Sequence, residues 1–150
     1  MITLLKLGGS LITNKKVERS FREATVKRLA QEIRQALDAN PDLKLIIGHG
    51  SGSFGHFEAT RHDTIHGVYT SADWQGFAQV ATIAAELNYL VTKTLSDADI
   101  PVFRVQPSAS VRTENGIVTD MTLHPIEKAL ENGLIPLIYG DVAMDDHRGG

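Results

Sequence analysis

Gly48-His49-Gly50-Ser51-Gly52-Ser53-Phe54-Gly55-His56 follows directly on the apolar run Leu43-Lys44-Leu45-Ile46-Ile47. A strand that breaks into four closely spaced glycines stops there, and its backbone N–H groups can turn toward a ligand with few side chains in the way. Such a nest suits a phosphate, above all where it opens a helix. The chain is therefore expected to carry a strand end to a ligand-binding edge, as open α/β sheets do.

Two further apolar runs end in the same way. Ile2 to Leu7 reads as a short buried strand running into Gly8-Gly9-Ser10, and Ile135 to Tyr139 as another ending in Gly140-Asp141. Between the first two strands Ala24, Leu29, Ala30, Ile33 and Leu37 recur at helical intervals. Ser20 stands three residues before Glu23, the capping-box spacing, and Asn40-Pro41 stops the helix. Strand, turn, helix, strand predicts a right-handed βαβ unit and a parallel sheet. If the glycine-ended strands are parallel neighbours, all three open at one edge.

Phe57 to Trp74 is rich in His, Thr, Ser and Asp without a clear period, which predicts a helix turn and then an irregular, mobile loop. From Asp73 or Trp74 to about Ser96, Phe77, Val80, Ala81, Ala84, Leu87, Tyr89, Leu90, Val91 and Leu95 give a helix a broad apolar face. Pro101 to Val105 reads as a strand. Ser110 to Met121 alternates around Glu114-Asn115-Gly116, a hairpin signal, and Pro125 opens a short helix that Gly133 closes.

With 150 residues, 42% of them hydrophobic, the chain can build one domain with a real core. No apolar stretch approaches the ~20 residues of a membrane span, and the N-terminus lacks a basic leader. There is no cysteine, and the net charge is -3. A soluble, cytoplasmic protein with a small-molecule partner is expected, without nucleic acid or membrane.

Gly50-Ser51-Gly52-Ser53-Phe54-Gly55 matches G-x-G-x-x-G. A dinucleotide site needs a further strand ending in an acid about 20 residues on, whereas Thr70-Ser71-Ala72-Asp73-Trp74 enters a helix. No Gly-Lys-Ser/Thr follows the glycines, so a P-loop is excluded. His49, His56, His62 and His66 lie close together without a third ligand or an H-E-x-x-H motif; His62 and His66 are expected to be surface histidines, and no metal ligand is assigned. His56 closes the nest and should face what the nest holds, the alternative being that it caps its own helix. Lys6, inside an otherwise apolar strand, is costly to bury unless it meets an anion or an acid. Lys6, Lys15 and His56 on one glycine-lined edge suggest phosphoryl transfer, where catalysis is mostly positioning and charge neutralisation.

Lys6-Leu7-Gly8-Gly9-Ser10-Leu11-Ile12-Thr13, followed by Lys15, resembles the opening of the amino-acid-kinase superfamily. Within it, His49 to His56, Gln106-Pro107-Ser108-Ala109 and Ile138-Tyr139-Gly140-Asp141-Val142 resemble the isopentenyl phosphate kinases, in order and across essentially the whole chain. The resemblance implies an α/β fold, a three-layer αβα sandwich with a mainly parallel central sheet and a β-hairpin near residues 110–121. It implies a homodimer that uses ATP and Mg2+ to convert isopentenyl phosphate to isopentenyl diphosphate, in the alternative mevalonate route to isoprenoids. On this resemblance Lys6 and Lys15 contact the ATP phosphates, with Gly8, Gly9, Ser10 and Gly52 on the nucleotide side. Gly50, Ser51, Gly52, Gly55 and His56 hold the acceptor phosphate, Gly140 and Asp141 lie beside it, and His56 stabilises the transition state. The helix around Phe77, Val80 and Ala84 lines the pocket for the five-carbon tail. Members of the family are roughly twice the span of an ordinary small domain, and their second half holds the adenine and ribose site. Residues 1–150 are thus expected to form a single acceptor-binding lobe, inactive alone, lacking the ATP-binding lobe and leaving an exposed sheet edge. Two other readings stay open: a kinase for a phosphonate acceptor, like the fosfomycin kinases, and a non-catalytic phosphate-binding domain.

Overall fold

The computed structural model describes all residues, 1–150. Four parallel strands form the central sheet: β1 (Ile2–Leu7), β2 (Lys44–His49), β3 (Val102–Val105) and β6 (Ile135–Tyr139), in the spatial order β1-β2-β6-β3. Between them lie the helices α1 (Gly9–Ile12), α2 (Glu23–Ala39), α3 (Gly52–Arg61), α4 (Ser71–Ser96) and α5 (His124–Glu131). A small second sheet, β5-β4-β7, holds the hairpin β4 (Val111–Glu114) and β5 (Ile117–Met121) beside β7 (Met144–Asp145).

The order of connections decides which face each helix covers. β1 to β2 to β3 advances across the sheet, while β3 to β6 steps back. Right-handed crossovers therefore put α2, α3 and α4 on one face and α5 on the other. On the first face Leu7, Leu45, Ile47, Ile135 and Leu137 meet Val26, Ala30 and Ile33 of α2, Phe54 of α3, and Ile83, Leu87, Val91 and Leu95 of α4 in one core. Each of the Val, Leu, Ile and Phe side chains among them contributes about 1.5–3 kcal/mol when fully buried. The second face is covered only in part. Ile126, Ala129 and Pro136 are buried there, but Leu4 on the edge strand β1 is 76% exposed. No helix is long and apolar enough to cross a membrane.

Two local expectations are corrected. Ser20 does not cap α2: the helix starts at Glu23 with Arg22 as its N-cap and no side-chain cap bond. The chain before it is already committed elsewhere, with Ser20 N–H donating to Ser53 Oγ at 3.2 Å and Arg22 N–H to the Ile12 carbonyl at 2.8 Å. The capping box sits instead at α4, where Thr70 Oγ1 accepts from Asp73 N–H at 3.2 Å and the Asp73 carboxylate accepts from Thr70 N–H at 2.8 Å. This starts α4 at Ser71, ahead of the expected start at Asp73 or Trp74.

Phe57 to Thr70 follows the expected helix turn and irregular segment. α3 continues to Arg61, a 3₁₀ turn covers Thr64–His66, and Val68 N–H donates to the Arg148 carbonyl at 2.7 Å. Buried Glu58 accepts from Arg61 at 2.6 Å and contacts His62 at 3.2 Å through its own carboxylate, bracing the last turn of α3. His66 is exposed, as expected; His62, partly exposed just past the end of α3, packs its side chain against Gly76 of α4, where an added Cβ would stand 2.6 Å from the His62 Cβ.

The hairpin turns at Asn115 and Gly116, both at positive φ (52° and 78°), the conformation Asn-Gly favours. Asp145 holds that turn from below. Its carboxylate accepts from Gly116 N–H at 2.7 Å, Arg148 N–H at 2.8 Å, His147 N–H at 2.9 Å, Thr113 Oγ1 at 2.9 Å and Asn115 N–H at 3.1 Å. These bonds, with Gly116 first, hold the carboxyl well below its ordinary value of 3.8. A depressed folded value contributes stability above the ordinary value, and that contribution is lost as pH falls below it. Melting curves from about pH 5 down to about pH 3 are expected to fall more steeply for wild type than for Asp145→Asn, which starts lower because it cannot accept all five bonds. Parallel pH dependences would show that Asp145 is not the group responsible.

Candidate active site

The sheet register brings the three glycine turns to one level. Lys6 pairs with Gly48, Leu7 with His49, and His49 with Tyr139, so Gly8, Gly50 and Gly140 leave adjacent parallel strands side by side. The turns pack backbone on backbone. A Cβ on Gly9 would stand 3.0 Å from the Gly52 Cα, and one on Gly140 would stand 2.8 Å from the Ser51 nitrogen. The N–H groups of Gly8, Gly50 and Ser51 donate to no protein acceptor. Beside them starts α3, whose N-terminal end adds partial positive charge.

Two cavities meet at this edge. One, of 420 Å³, is lined by Lys6, Gly8, Gly9, Lys15, Gly50, Ser51, Gly52 and His56, together with Ser53 and Phe57. The other, of 320 Å³, is walled by Gly55, Gly140 and Asp141 on its polar side and by Ile65, Phe77, Val80, Ala84 and Val142 on its apolar side. Ser51 and His56 line both. Lys27, Lys93 and Lys128 each hold a carboxylate on the helices. Lys6 and Lys15, which share the first cavity, have none within 4.0 Å. Two uncompensated ammonium groups, free N–H donors and a histidine make a site for a polyanion; the adjoining space suits an apolar group. Of the residues expected at the site, only Ser10 lines neither cavity; it lies exposed on α1. Asp141 is engaged by backbone, accepting from Val142 N–H at 2.9 Å and Ser108 N–H at 3.1 Å, which holds the Pro107–Ala109 turn against the site.

Three residues behind the site were not singled out as site residues from the sequence. Thr13, fully buried, donates from Oγ1 to the Gly9 carbonyl at 2.6 Å and accepts from Ser53 N–H at 3.0 Å, fastening the first glycine turn to the nest. His49 and Asn88, both buried, face each other at 3.1 Å beneath Gly50. Tyr139 stacks on His49, and burial, with the Asp141 carboxylate next, pushes its phenol up to about 12. A Thr three residues after Gly-Ser is the only local hint of the first. His49 and Asn88 are 39 positions apart, and no local pattern joins them.

A family model described as the amino acid kinase family matches residues 1–150. The chain is 34% identical over 156 residues to an isopentenyl phosphate kinase of Methanocaldococcus jannaschii, covering 99% of this chain and 59% of that protein. It is 35% identical over 150 residues to an isopentenyl phosphate kinase of Methanothermobacter thermautotrophicus, covering 97% and 55% respectively. A solved isopentenyl phosphate kinase structure superposes with a TM-score of 0.88 at 34% identity, over 99% of this chain and 60% of that one. An aspartate kinase from Synechocystis shares the fold, with a TM-score of 0.64 at 13% identity, over 95% of this chain and 22% of that one. The chain thus spans a little over half the length of the curated relatives it matches.

Proposed function

The chain belongs to the amino acid kinase family, and from that premise we propose that residues 1–150 form the acceptor-binding lobe of an ATP-dependent isopentenyl phosphate kinase. The observation that carries this reading is the pair of cavities sharing Ser51 and His56, one cationic and glycine-lined, the other walled by Phe77, Val80 and Ala84. An isopentenyl phosphate has those two parts: a phosphate to be held by His56 and the nest, and a five-carbon apolar tail. A phosphonate with a small polar body would leave the apolar wall unmatched.

The residues present fit the phosphate chain of ATP, since Lys6 and Lys15 lack any carboxylate and lie with Gly8 and Gly9 on the first cavity. ATP would supply the phosphoryl group to be transferred. No three His, Asp or Glu side chains converge to make a metal site. Mg2+, were it bound with the nucleotide, would supply neutralisation of the phosphate charge. In the proposed reaction an oxygen of the acceptor phosphate attacks the γ-phosphorus in line, and the bond from that phosphorus to the bridging oxygen of ADP breaks. The acceptor is already ionised, so no general base is required. Lys6, Lys15 and His56 neutralise the charge spreading over the transferred group, and Ser51 with Gly50 anchors the acceptor from behind. The adenine and ribose contacts fall, on this proposal, in the part of the relatives' length that this chain does not match.

The test is a phosphoryl-transfer assay on the complete reading frame with ATP and Mg2+, offering isopentenyl phosphate and fosfomycin as competing acceptors. Isopentenyl diphosphate as the main product supports the proposal, with the 150-residue chain binding acceptor but turning nothing over. Preference for fosfomycin overturns the substrate, and phosphate binding without turnover of either acceptor overturns the enzyme.

Gly140 offers a finer check. An alanine there brings its methyl against the Ser51 nitrogen, so Gly140→Ala is expected to raise the KM for the acceptor about tenfold, the loss of one hydrogen bond to a charged group. An unchanged acceptor KM would remove Ser51 N–H from the anchoring groups.

A further inference from the structure

His49 and Asn88 take no part in this chemistry, yet both lie directly behind the nest. His49 ends β2 and is 4% exposed; Asn88 sits midway along α4 and is 1% exposed. Polar groups this deep are costly unless bonded, and each bond here can run only one way. The Gly50 carbonyl accepts and cannot donate, so the hydrogen lies on His49 Nδ1, 3.0 Å away. Nε2 is then bare and accepts from Asn88 Nδ2 at 3.1 Å. Burial lowers the pKa of the ring, which favours this neutral form. The Tyr139 ring, 6.0 Å away and inclined by 20°, holds the imidazole plane from the next strand.

The effect appears one peptide unit on. In a trans peptide the carbonyl of Gly50 and the N–H of Ser51 point in opposite directions. Drawing the Gly50 oxygen back to His49 turns the Ser51 N–H outward, where it meets no protein acceptor. Gly140 leaves that side uncovered, and Ser51 lines both cavities. We infer that Asn88 and His49 are positioning residues, which hold the Gly50–Ser51 peptide with its N–H aimed at the phosphate of the acceptor. The inference rests on the proposed reading of residues 50–56 as the acceptor site. It extends the site to a residue of α4 that touches no ligand.

The experiment compares the complete protein as wild type, His49→Leu, His49→Asn and Asn88→Leu. Leucine fills space at position 49 but cannot donate; asparagine places an amide N–H near the former Nδ1 and can. His49→Leu is expected to raise the acceptor KM about tenfold and Asn88→Leu about threefold, with the ATP KM changed by less than about twofold. The dissociation constant for inorganic phosphate, measured by calorimetry, should move by the same ratios, and His49→Asn should recover most of the loss. The Ser51 amide resonance should shift on adding phosphate to wild type and fail to shift in His49→Leu at the same concentration. Wild-type KM and phosphate affinity in a folded His49→Leu overturn the inference. So do equal losses in His49→Leu and His49→Asn, which mark a packing role. Asn88→Leu, further from the ligand, and His49→Asn carry the comparison if His49→Leu does not fold. A wild type that binds phosphate through Ser51 but leaves isopentenyl phosphate unchanged overturns the assigned reaction and supports the positioning role.

Discussion

His56→Ala is expected to lower turnover about 10²- to 10³-fold, the range for loss of one group that stabilises transition-state charge, while the melting temperature stays within about 2 °C of wild type. The two halves of this result have separate causes. His56 is exposed on α3, its imidazole makes no hydrogen bond, and the bond from Thr60 Oγ1 runs to its backbone carbonyl, which alanine keeps. No core packing is removed, and alanine favours the helix. The imidazole, however, lines both cavities, at the point where the proposed reaction would bring acceptor phosphate and nucleotide phosphates together. On that proposal its loss leaves charge uncompensated in the transition state, while Lys6 and Lys15 remain to bind nucleotide. A fall in kcat with a nearly unchanged ATP KM, from steady-state kinetics, is the expected signature. Unchanged turnover in a folded His56→Ala protein would take the catalytic role away from this residue.

Gly52→Ala should have the largest effect on stability. Gly52 opens α3 at φ +53, where an L side chain is strained by about 1 kcal/mol. Its Cβ would also enter the fully buried Thr13 side chain, coming to 2.6 Å from Cγ2. Thr13 cannot swing aside without giving up its bonds to Gly9 and Ser53. Overpacking a closed site adds about 1–3 kcal/mol, so the total comes to about 3 kcal/mol. At the size of this domain that lowers the melting temperature by about 10 °C. Gly133 is the control. It also has a positive φ, +72, but a Cβ there meets nothing within 4 Å. Gly133→Ala should therefore lose only the backbone part, about 1 kcal/mol. Equal losses at the two positions, in thermal melts under one buffer, would show that the fit against Thr13 does not matter.

The contrast between these glycines shows what could be read from the chain and what could not. β1 at Ile2–Leu7 and β6 at Ile135–Tyr139 are legible to the residue, because an apolar run closed by glycine marks a strand and its end; only β6 is buried as expected, whereas β1 lies at the sheet edge with Ile2 and Leu4 exposed. The Asn-Gly hairpin is legible for the same local reason: only a few residues accept positive φ at both turn positions. The convergence of Gly8, Gly50 and Gly140 follows from chain order and handedness, which any right-handed βαβ unit obeys. Ser20 misled because its capping spacing was correct but its backbone was already bonded to Ser53, 33 positions away. Phe57 to Trp74 was legible as a helix turn and then irregular chain, but not the point at which α4 begins, since the cap on Thr70 and Asp73 starts that helix at Ser71.

By itself, then, the sequence determined the parallel sheet, the glycine turns at its ligand edge and the two lysines and histidine placed there. These depend on backbone freedom, hydrophobic runs and chain handedness, all of which act over short spans. Only the tertiary structure decided which polar groups stand behind that edge. Thr13 meets Ser53, and His49 meets Asn88, because α1, α3 and α4 pack onto the same strand ends. A hydrogen bond between residues 39 positions apart leaves no periodicity and no spacing in the chain. It exists because burying either partner alone would cost more than the fold could offset.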